Sequence, residues 1–284
     1  MKRNIDIVVI SDVHLGTYGC HAKELLEYLK SIKPDILVLN GDIFDIWQFN
    51  KRYFPTEHLQ IINRLIKMAS QDTKIYYITG NHDEKLREFA HLTLANIQVL
   101  NQLELMVNGK KYWFFHGDVF DMSIKHTKLM AKLGGLGYDT LIRLNRYINA
   151  WRTYFGMEKI SFSKRIKYSV KEAIKFIKNF EEMSIQAAIK KEVDYVVCGH
   201  IHQPTIKLET RGKKSVIYMN SGDWVENLTA LEYKYGKWSL YEYEEDIMPV
   251  ENPKLKVAGL KNKHKSIPNL AHEAAFEPLA VVHY

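Results

Sequence analysis

The stretch IDIVVISDVH, residues 5–14, begins as a short apolar run and ends in an aspartate and a histidine. Short runs rich in β-branched residues are typical of buried strands, so we predict a strand over 5–11. The run is interrupted by Asp6, is too short for the core of a signal peptide and has no small-residue cleavage site after it. We therefore expect a cytoplasmic protein whose first strand carries polar side chains at its carboxyl end.

Apolar runs and helical periods alternate through the first 120 residues, as they do in α/β sandwiches. We predict helices over 21–32 and 57–70, because leucine or isoleucine recurs on one face of each, and a later helix over 168–191. Further strands are predicted at 36–40, 74–79, 97–100, 103–107, 111–116 and 194–198, with hairpin turns near Asn108-Gly109, Arg211-Gly212 and Tyr235-Gly236.

The composition is that of a globular protein. The chain has 284 residues, of which 46% are hydrophobic and 26% charged, and its mean hydropathy is −0.28. These values exclude a disordered tail, a collagen-like rod and an ordinary transmembrane protein. The two cysteines, Cys20 and Cys198, have no CxxC spacing, so we expect neither a disulfide framework nor cysteine chemistry.

Positive charge is concentrated in one segment. The net charge of the chain is +7, whereas residues 122–178 contain 13 Lys or Arg against 3 Asp or Glu, a net charge of +10. We predict one α/β domain over 1–248 with a helical insertion at about 122–190. Prolines interrupt the remaining residues, 249–284, for which we predict an irregular tail.

Five predicted strands each end in a short polar cluster. The clusters are Asp12-Val13-His14, Gly41-Asp42-Ile43-Phe44-Asp45, Gly80-Asn81-His82-Asp83, His116-Gly117-Asp118 and Gly199-His200-Ile201-His202. Each sequence alone is typical of an ordinary turn. In an α/β sheet, however, ligands bind outside the carboxyl ends of the strands, so the five together predict one crevice lined by these side chains.

Aspartate, histidine and asparagine without a cysteine cluster suit Mn, Fe, Zn or Mg rather than a closed structural zinc site. At least seven candidate ligands are present, which is too many for one tetrahedral ion. Two ions that share a carboxylate explain the set economically. Such a pair can activate water for hydrolysis.

As a set, the clusters resemble the signature of the calcineurin-like metallophosphoesterase superfamily, in the expected order over residues 10–202. The resemblance implies a four-layer sandwich of two mixed β-sheets flanked by helices, with two divalent metal ions, preferably Mn²⁺. The implied ligands are Asp12, His14 and His202 for one ion and Asn81, His116 and His200 for the other, with Asp42 as the bridge.

The resemblance also implies a catalytic pair beside the metal ions. His82 would stabilise the transition state or protonate the leaving group, and Asp83 would orient His82. For Asp45 and Asp118 we expect a supporting role behind the ligands or at a helix cap rather than metal binding.

Within the superfamily, the chain is similar to the UDP-2,3-diacylglucosamine pyrophosphohydrolases of lipid A biosynthesis, which release UMP and the diacylated sugar 1-phosphate. The similarity covers residues 11–16 and 41–47, the insertion after His116, and Gly222-Asp223-Trp224. It implies a nucleotide-lipid substrate, an insertion that covers its acyl chains, and peripheral association with the inner membrane. One position differs, because the best-studied branch of that family has arginine where this chain has His82.

The insertion supplies the candidate substrate contacts, which are Arg143, Arg146, Tyr147, Trp151 and Arg152. Three interpretations of this basic, aromatic segment stay open: a lid that binds acyl chains and diphosphate, a helical hairpin with a solvated basic face, and a groove for nucleic acid. The alternative enzyme is a metallophosphodiesterase or nuclease acting on another nucleotide or on nucleic acid, although we expect no stable nucleic acid partner. A non-catalytic scaffold is the alternative of a different class, and the complete ligand set argues against it.

Overall fold

The computed structural model describes residues 2–47, 53–123, 163–244 and 276–277. The chain divides into two compact units, one made of Met1–His116 with Val193–Tyr284 and one made of Gly117–Glu192. The first unit contains helices α1 (Ala22–Ser31) and α2 (Thr56–Ala69), and the second contains helix α3 (Ser163–Lys191). Short 3-10 helices span Glu84–Phe89 and Asp118–Ser123. Among the described helices, none is long and apolar enough to cross a membrane.

The described residues form thirteen strands in two sheets. In chain order they are β1 (Arg3–Ile10), β2 (Ile32–Asn40), β3 (Lys74–Ile78), β4 (Thr93–Leu94), β5 (Ile97–Leu100), β6 (Gln102–Val107), β7 (Lys110–Phe115), β8 (Tyr195–Cys198), β9 (Thr205–Arg211), β10 (Lys214–Asn220), β11 (Thr229–Lys234), β12 (Lys237–Glu242) and β13 (Phe276–Glu277).

Both sheets are mixed. The seven-stranded sheet has the order β12-β11-β1-β2-β3-β5-β4, and its central strands β1, β2, β3 and β5 are parallel. The six-stranded sheet has the order β13-β6-β7-β8-β10-β9, and β7, β8 and β10 are parallel. Two mixed sheets with helices confirm the α/β fold class expected from the sequence.

Burial explains why β1 is almost continuously apolar. Its Val8 and Ile10 pack with Leu25 of α1 and Ile61 of α2, whereas Ile7 joins a second core cluster. That second cluster draws on both sheets, with Val38, Phe114 and Val197 among its members. Because β1 is buried on both faces, it carries the near-continuous apolar run of a parallel strand rather than an alternating pattern.

Most predicted elements are confirmed to within a few residues, and the differences have structural causes. Strand β2 begins at Ile32 rather than at residue 36, because its first residues pair with Arg3–Ile5 of β1. The two-residue strand β4 was missed, since it forms only by pairing with β5. In the predicted irregular tail, Phe276–Glu277 pairs with β6, and the other residues of 249–284 lie outside the described residues.

Helix α1 runs directly into β2, and a buried arginine stabilises this junction. The Arg64 guanidinium donates hydrogen bonds to the carbonyl of Leu29, from Nε at 2.9 Å and from Nη2 at 2.8 Å, and to the carbonyl of Ile32 at 3.1 Å. The Leu29 carbonyl lies in the last turn of α1, where helices leave acceptors unsatisfied, and Ile32 is the residue that follows the helix. The cation also lies at the negative end of the helix dipole.

Replacing Arg64 should therefore destabilise the fold. We expect Arg64→Met to lower the free energy of unfolding by about 2–3 kcal/mol, because buried carbonyls lose charged donors. Urea unfolding followed by circular dichroism measures the loss. Lys67→Met, an exposed change one turn further along α2, is the control and should stay within about 0.5 kcal/mol of the parent protein. Equal effects of the two substitutions would contradict this role of Arg64.

Candidate metal centre

The five polar clusters follow the carboxyl ends of parallel strands. Asp12, Asp42 and Asn81 come after β1, β2 and β3 in the first sheet, and His116 and His200 come after β7 and β8 in the second. The backbone N–H of His200 donates to Asp12 Oδ2 at 3.0 Å, and so joins loops from the two sheets. The clusters thus converge on one place, as their positions in the sequence predict.

One group of possible metal ligands consists of Asp12, His14 and His202, whose ligand atoms lie within 4.8 Å of one another. His202 Nε2 is 3.3 Å from Asp12 Oδ1. Burial by itself raises the pKa of Asp12, but the neighbouring imidazoles, above all His202, outweigh burial and hold that pKa well below its usual range. The carboxylate is therefore ionised and able to bind a cation.

A second group consists of Asp42, His116 and His200, whose ligand atoms also lie within 4.8 Å of one another. His116 Nδ1 is 2.9 Å from the carbonyl oxygen of Asn40, which can only accept, so Nδ1 carries the proton. In the neutral ring, Nε2 is then the nitrogen that can bind a metal ion, and it lies 3.2 Å from Asp42 Oδ2. A hydrogen bond to the ring nitrogen that does not bind the metal is the usual support of a metal-binding histidine.

The pKa of Asp42 is also lowered. Burial raises it, but His116 more than offsets burial and brings the pKa to about 2. The backbone N–H of His82 donates to Asp42 Oδ1 at 2.8 Å, which places the loop after β3 against this carboxylate. In the same loop, Asn81 Oδ1 is buried and accepts no hydrogen bond from any described residue. An unsatisfied oxygen beside ionised carboxylates and imidazoles fits a divalent cation bound by oxygen and nitrogen ligands.

Five of the seven predicted ligands have backbones in the left-handed region: Asp12, His14, Asp42, His200 and His202 have φ between 51° and 70°. Such conformations cost free energy in residues other than glycine and persist only where the surrounding structure imposes them. Their clustering at one place marks a functional site rather than a set of ordinary turns.

Two glycines allow the loops to approach so closely. A Cβ atom at Gly41 would collide with the His116 ring, and one at Gly80 would collide with the Asp42 carboxylate. Gly41 also has φ +87°, which disfavours any side chain. The glycines of the Gly-Asp and Gly-Asn motifs are thus required by close packing around the ligands.

Asp45 is the carboxylate that lies next to His82. Its Oδ2 is 2.9 Å from His82 Nδ1 and 3.2 Å from His14 Nδ1, so that one oxygen serves both rings. Burial lowers the pKa of His82, but Asp45 and Asp42 outweigh burial and raise it. The protonated ring is thereby favoured. The position of Asp45 agrees with the supporting role expected for it.

The prediction that Asp83 orients His82 was wrong. The Asp83 carboxylate accepts hydrogen bonds from Ile43 N–H at 3.0 Å, Tyr77 O–H at 2.5 Å and Gly80 N–H at 2.5 Å, and none from His82. It therefore fastens the loop after β2 to the loop after β3. Its side chain turns away from His82 because it closes the tight turn that begins at Gly80.

Asp223 and Trp224 are buried side chains with structural roles. Asp223 is buried and accepts hydrogen bonds from the N–H groups of Val225, Glu226 and Asn227, so it organises the turn after β10. Its Oδ2 is 4.0 Å from His202 Nδ1. Trp224 is fully buried against Tyr28. Gly222-Asp223-Trp224 is thus part of the turn that follows β10.

Sequence reasoning did not single out His58. This buried histidine in the first turn of α2 accepts a hydrogen bond at Nδ1 from the N–H of Gly16, at 3.0 Å. Gly16 follows His14 by two residues, so His58 supports the loop that carries Asp12 and His14. No local pattern relates His58 to that loop. The predicted substrate contacts Arg143, Arg146, Tyr147, Trp151 and Arg152 lie outside the described residues.

A profile of the calcineurin-like phosphoesterase family matches residues 5–204. Among curated proteins, the UDP-2,3-diacylglucosamine hydrolase of Blochmanniella pennsylvanica is 26% identical over 217 residues, which cover 75% of this chain and 85% of that protein. The enzyme of the same name from Aliivibrio fischeri is 24% identical and covers 84% of this chain and 98% of its own. The DNA double-strand break repair protein Mre11 of Methanococcus maripaludis is 24% identical, with 74% of this chain and 52% of that protein covered.

The metal-free site should release a proton when it binds a divalent ion. Burial lowers the pKa of His202, but Asp12 outweighs burial and raises it to about 9, so the ring is protonated at neutral pH. A metal ligand must be deprotonated, so metal affinity should rise with pH up to about 9. The raised pKa also makes the stability of the metal-free fold depend on pH. The His202–Asp12 pair stabilises this fold below pH 6.5, and the stabilisation is lost as pH rises through about 9.

Titration calorimetry of the metal-free protein with Mn²⁺, in two buffers of different ionisation enthalpy, counts the released protons. We expect roughly one proton from His202 at neutral pH and its loss in His202→Asn. His91→Asn, a change of an exposed histidine, is the control. Binding of the metal without any proton release would contradict the charge assigned to His202.

Asp83 and Asp45 should affect different properties. Asp83→Ala leaves the N–H groups of Ile43 and Gly80 without their acceptor, so the free energy of unfolding should fall by about 3 kcal/mol or more. Asp45→Ala should change stability less and reduce turnover more, because it removes the carboxylate beside His82. Urea unfolding measures the stability of each variant, and initial rates measure its turnover. A stable Asp83→Ala protein with low turnover would restore Asp83 as the partner of His82.

Proposed function

The chain belongs to the calcineurin-like phosphoesterase family and is a metal-dependent phosphoester hydrolase, and we propose that its substrate is UDP-2,3-diacylglucosamine. In the proposed reaction, water cleaves the pyrophosphate and releases UMP and 2,3-diacylglucosamine 1-phosphate. The reaction would place the enzyme in lipid A biosynthesis.

The observation that carries this proposal is the extent of the similarity to enzymes of that name. The match covers 85% and 98% of two of them, whereas the match to the repair protein covers 52% of that chain. The present chain therefore corresponds to nearly the whole of the lipid-pathway enzymes. It corresponds to only about half of the repair nuclease.

The donor set supports two divalent ions, for which we favour Mn²⁺. Asp12, His14 and His202 would hold one ion, Asn81, His116 and His200 the other, and Asp42 would bind both. When bound, such ions neutralise phosphate oxygens and lower the pKa of a water molecule that can attack phosphorus. The residues themselves contribute two buried, ionised carboxylates and imidazoles whose orientation is fixed by hydrogen bonds.

Next to these ligands, His82 is suited to proton transfer. Asp45 lies against Nδ1 and raises the pKa of the ring, so Nε2 is the nitrogen left to donate a proton or a hydrogen bond to the leaving oxygen. In this proposal, Asp45 takes the positioning role that the family resemblance implied for Asp83. The Trp47 ring, 5.2 Å from the His82 ring, forms part of the surroundings of this group.

We propose that the insertion binds the acyl chains and the diphosphate of the substrate. Its charge of +10 over residues 122–178 favours anionic partners, and Arg143, Arg146, Tyr147, Trp151 and Arg152 are the contacts we propose. The same composition favours peripheral binding to an anionic membrane surface on the cytoplasmic side.

A phosphodiesterase or nuclease is the second candidate. The similarity to the repair protein supports it, as does His82, which stands where the best-studied lipid enzymes have arginine. Salt dependence separates the two candidates, because binding to a phosphate backbone weakens steeply with ionic strength.

The direct test is hydrolysis of detergent-dispersed UDP-2,3-diacylglucosamine with Mn²⁺, with UMP and the sugar 1-phosphate as measured products. We expect both products and their loss on chelation. Asp42→Asn should reduce turnover more than about 100-fold, beyond the loss typical of groups that only support a metal ligand. Asp35→Asn, an exposed change in β2, the strand that Asp42 follows, is the matched control.

An unchanged rate in Asp42→Asn would contradict the metal-site assignment. Absence of both products, together with Mn²⁺-dependent hydrolysis of bis(p-nitrophenyl) phosphate, would contradict the lipid substrate and favour the second candidate. Recovery of the protein with anionic vesicles in a flotation assay tests membrane binding, and failure to float at low salt would count against it.

A further inference from the structure

Tyr18 is exposed although it lies close to the metal centre. Its side chain is 74% exposed, and it follows His14 by only four residues. Four residues span at most about 14 Å, so the Tyr18 backbone is within that distance of a predicted ligand. The residue lies in the connection between β1 and α1, which leaves the carboxyl end of β1 where the ligands converge.

The Tyr18 ring is supported on one side by Tyr53. The two ring centroids are 3.7 Å apart with an interplanar angle of 33°, and the high exposure of Tyr18 leaves much of its ring in contact with water. A flat apolar surface held in one orientation loses little conformational entropy when a ligand binds it.

The Tyr18–Tyr53 pair is connected to the loop after β1 by a series of contacts. The Tyr53 ring meets the His58 ring edge-on at 6.0 Å and 90°, and His58 Nδ1 accepts the N–H of Gly16 at 3.0 Å. Thr17 Oγ1 donates to the carbonyl of His14 at 2.9 Å. Burial lowers the pKa of His58, which favours the neutral ring that can accept this hydrogen bond.

We propose that the Tyr18–Tyr53 pair is a stacking subsite for the nucleobase of a nucleotide substrate whose phosphate occupies the metal centre. The inference rests on the proposed phosphoester hydrolysis and deepens it by naming the group that is recognised. A base is flat and uncharged, and a single ribose separates it from its 5′-phosphate. Base–aromatic stacking needs only one open face of a ring, whereas an acyl chain needs a continuous apolar groove.

A second exposed tyrosine provides an internal comparison. Tyr235 is 84% exposed and lies in the turn between β11 and β12. Strand β11 is antiparallel to β1, with Tyr233 opposite Ile7, so this turn is at the amino end of β1, away from the ligands. The Lys234 ammonium lies over its ring, 4.7 Å from the ring centroid. Exposure alone thus does not distinguish Tyr18, whereas its position after β1 and its ring contact with Tyr53 do.

The test compares two ligands that differ only in the base. Titration calorimetry of the full-length, Mn²⁺-loaded protein with UMP and with ribose 5-phosphate measures the contribution of the base without requiring turnover. We expect UMP to bind more tightly, and Tyr18→Ala to weaken UMP binding by about 5- to 150-fold, the range for the loss of one stacked base. Binding of ribose 5-phosphate should not change.

Two further variants separate stacking from other effects. Tyr18→Phe keeps the ring and should retain UMP affinity, and Tyr235→Ala should leave both affinities unchanged. The subsite would be overturned by equal wild-type affinities for the two ligands, or by equal weakening of both in Tyr18→Ala. Weaker binding of UMP but not of ribose 5-phosphate in Tyr18→Ala would uphold the subsite even if UDP-2,3-diacylglucosamine were not hydrolysed. The test can therefore distinguish a failure of the stacking subsite from a failure of the lipid assignment.

Discussion

Burial of two carboxylates at the ends of neighbouring strands is the constraint that the rest of the structure has to satisfy. Asp12 and Asp42 are almost inaccessible to solvent, and a buried charge is costly unless it is paired and hydrogen-bonded. Each receives a backbone N–H from another loop, Asp12 from His200 and Asp42 from His82, and each lies beside an imidazole. Because His200 is in the loop that follows β8 of the second sheet, the hydrogen bond that stabilises the Asp12 charge also joins loops of the two sheets.

This arrangement requires strained backbone conformations at the ligands and glycine at two positions beside them. Ligands such as His14 and His202 adopt left-handed backbone conformations, and Gly41 and Gly80 leave room where a Cβ atom would collide with a ligand. Such conformations persist only where the surrounding structure imposes them. The hydrogen bonds of Asp83 close one ligand loop, and those of Arg64 complete the end of α1.

The loop after β1 carries both candidate metal ligands and the proposed contact with the nucleobase. It carries Asp12 and His14, it is supported by His58 through Gly16, and it presents Tyr18 on Tyr53. A substrate that contains both a phosphoester and a planar ring would meet both features on one loop. Membership of a phosphoesterase family does not by itself determine the substrate, so selectivity among substrates has to come from the groups around the reacting centre.

The sequence by itself determined the elements and the ligand types, because both are local properties. Apolar runs marked the strands, and the polar residues that follow five of them marked the site. The tertiary structure decided which residues and strands lie next to one another. It placed Asp45 rather than the adjacent Asp83 beside His82, brought His58 to Gly16 from 42 positions away, and divided the strands between two sheets. Local periodicity records which face of an element is buried, but such pairings depend on how distant elements pack, which no short stretch of sequence encodes.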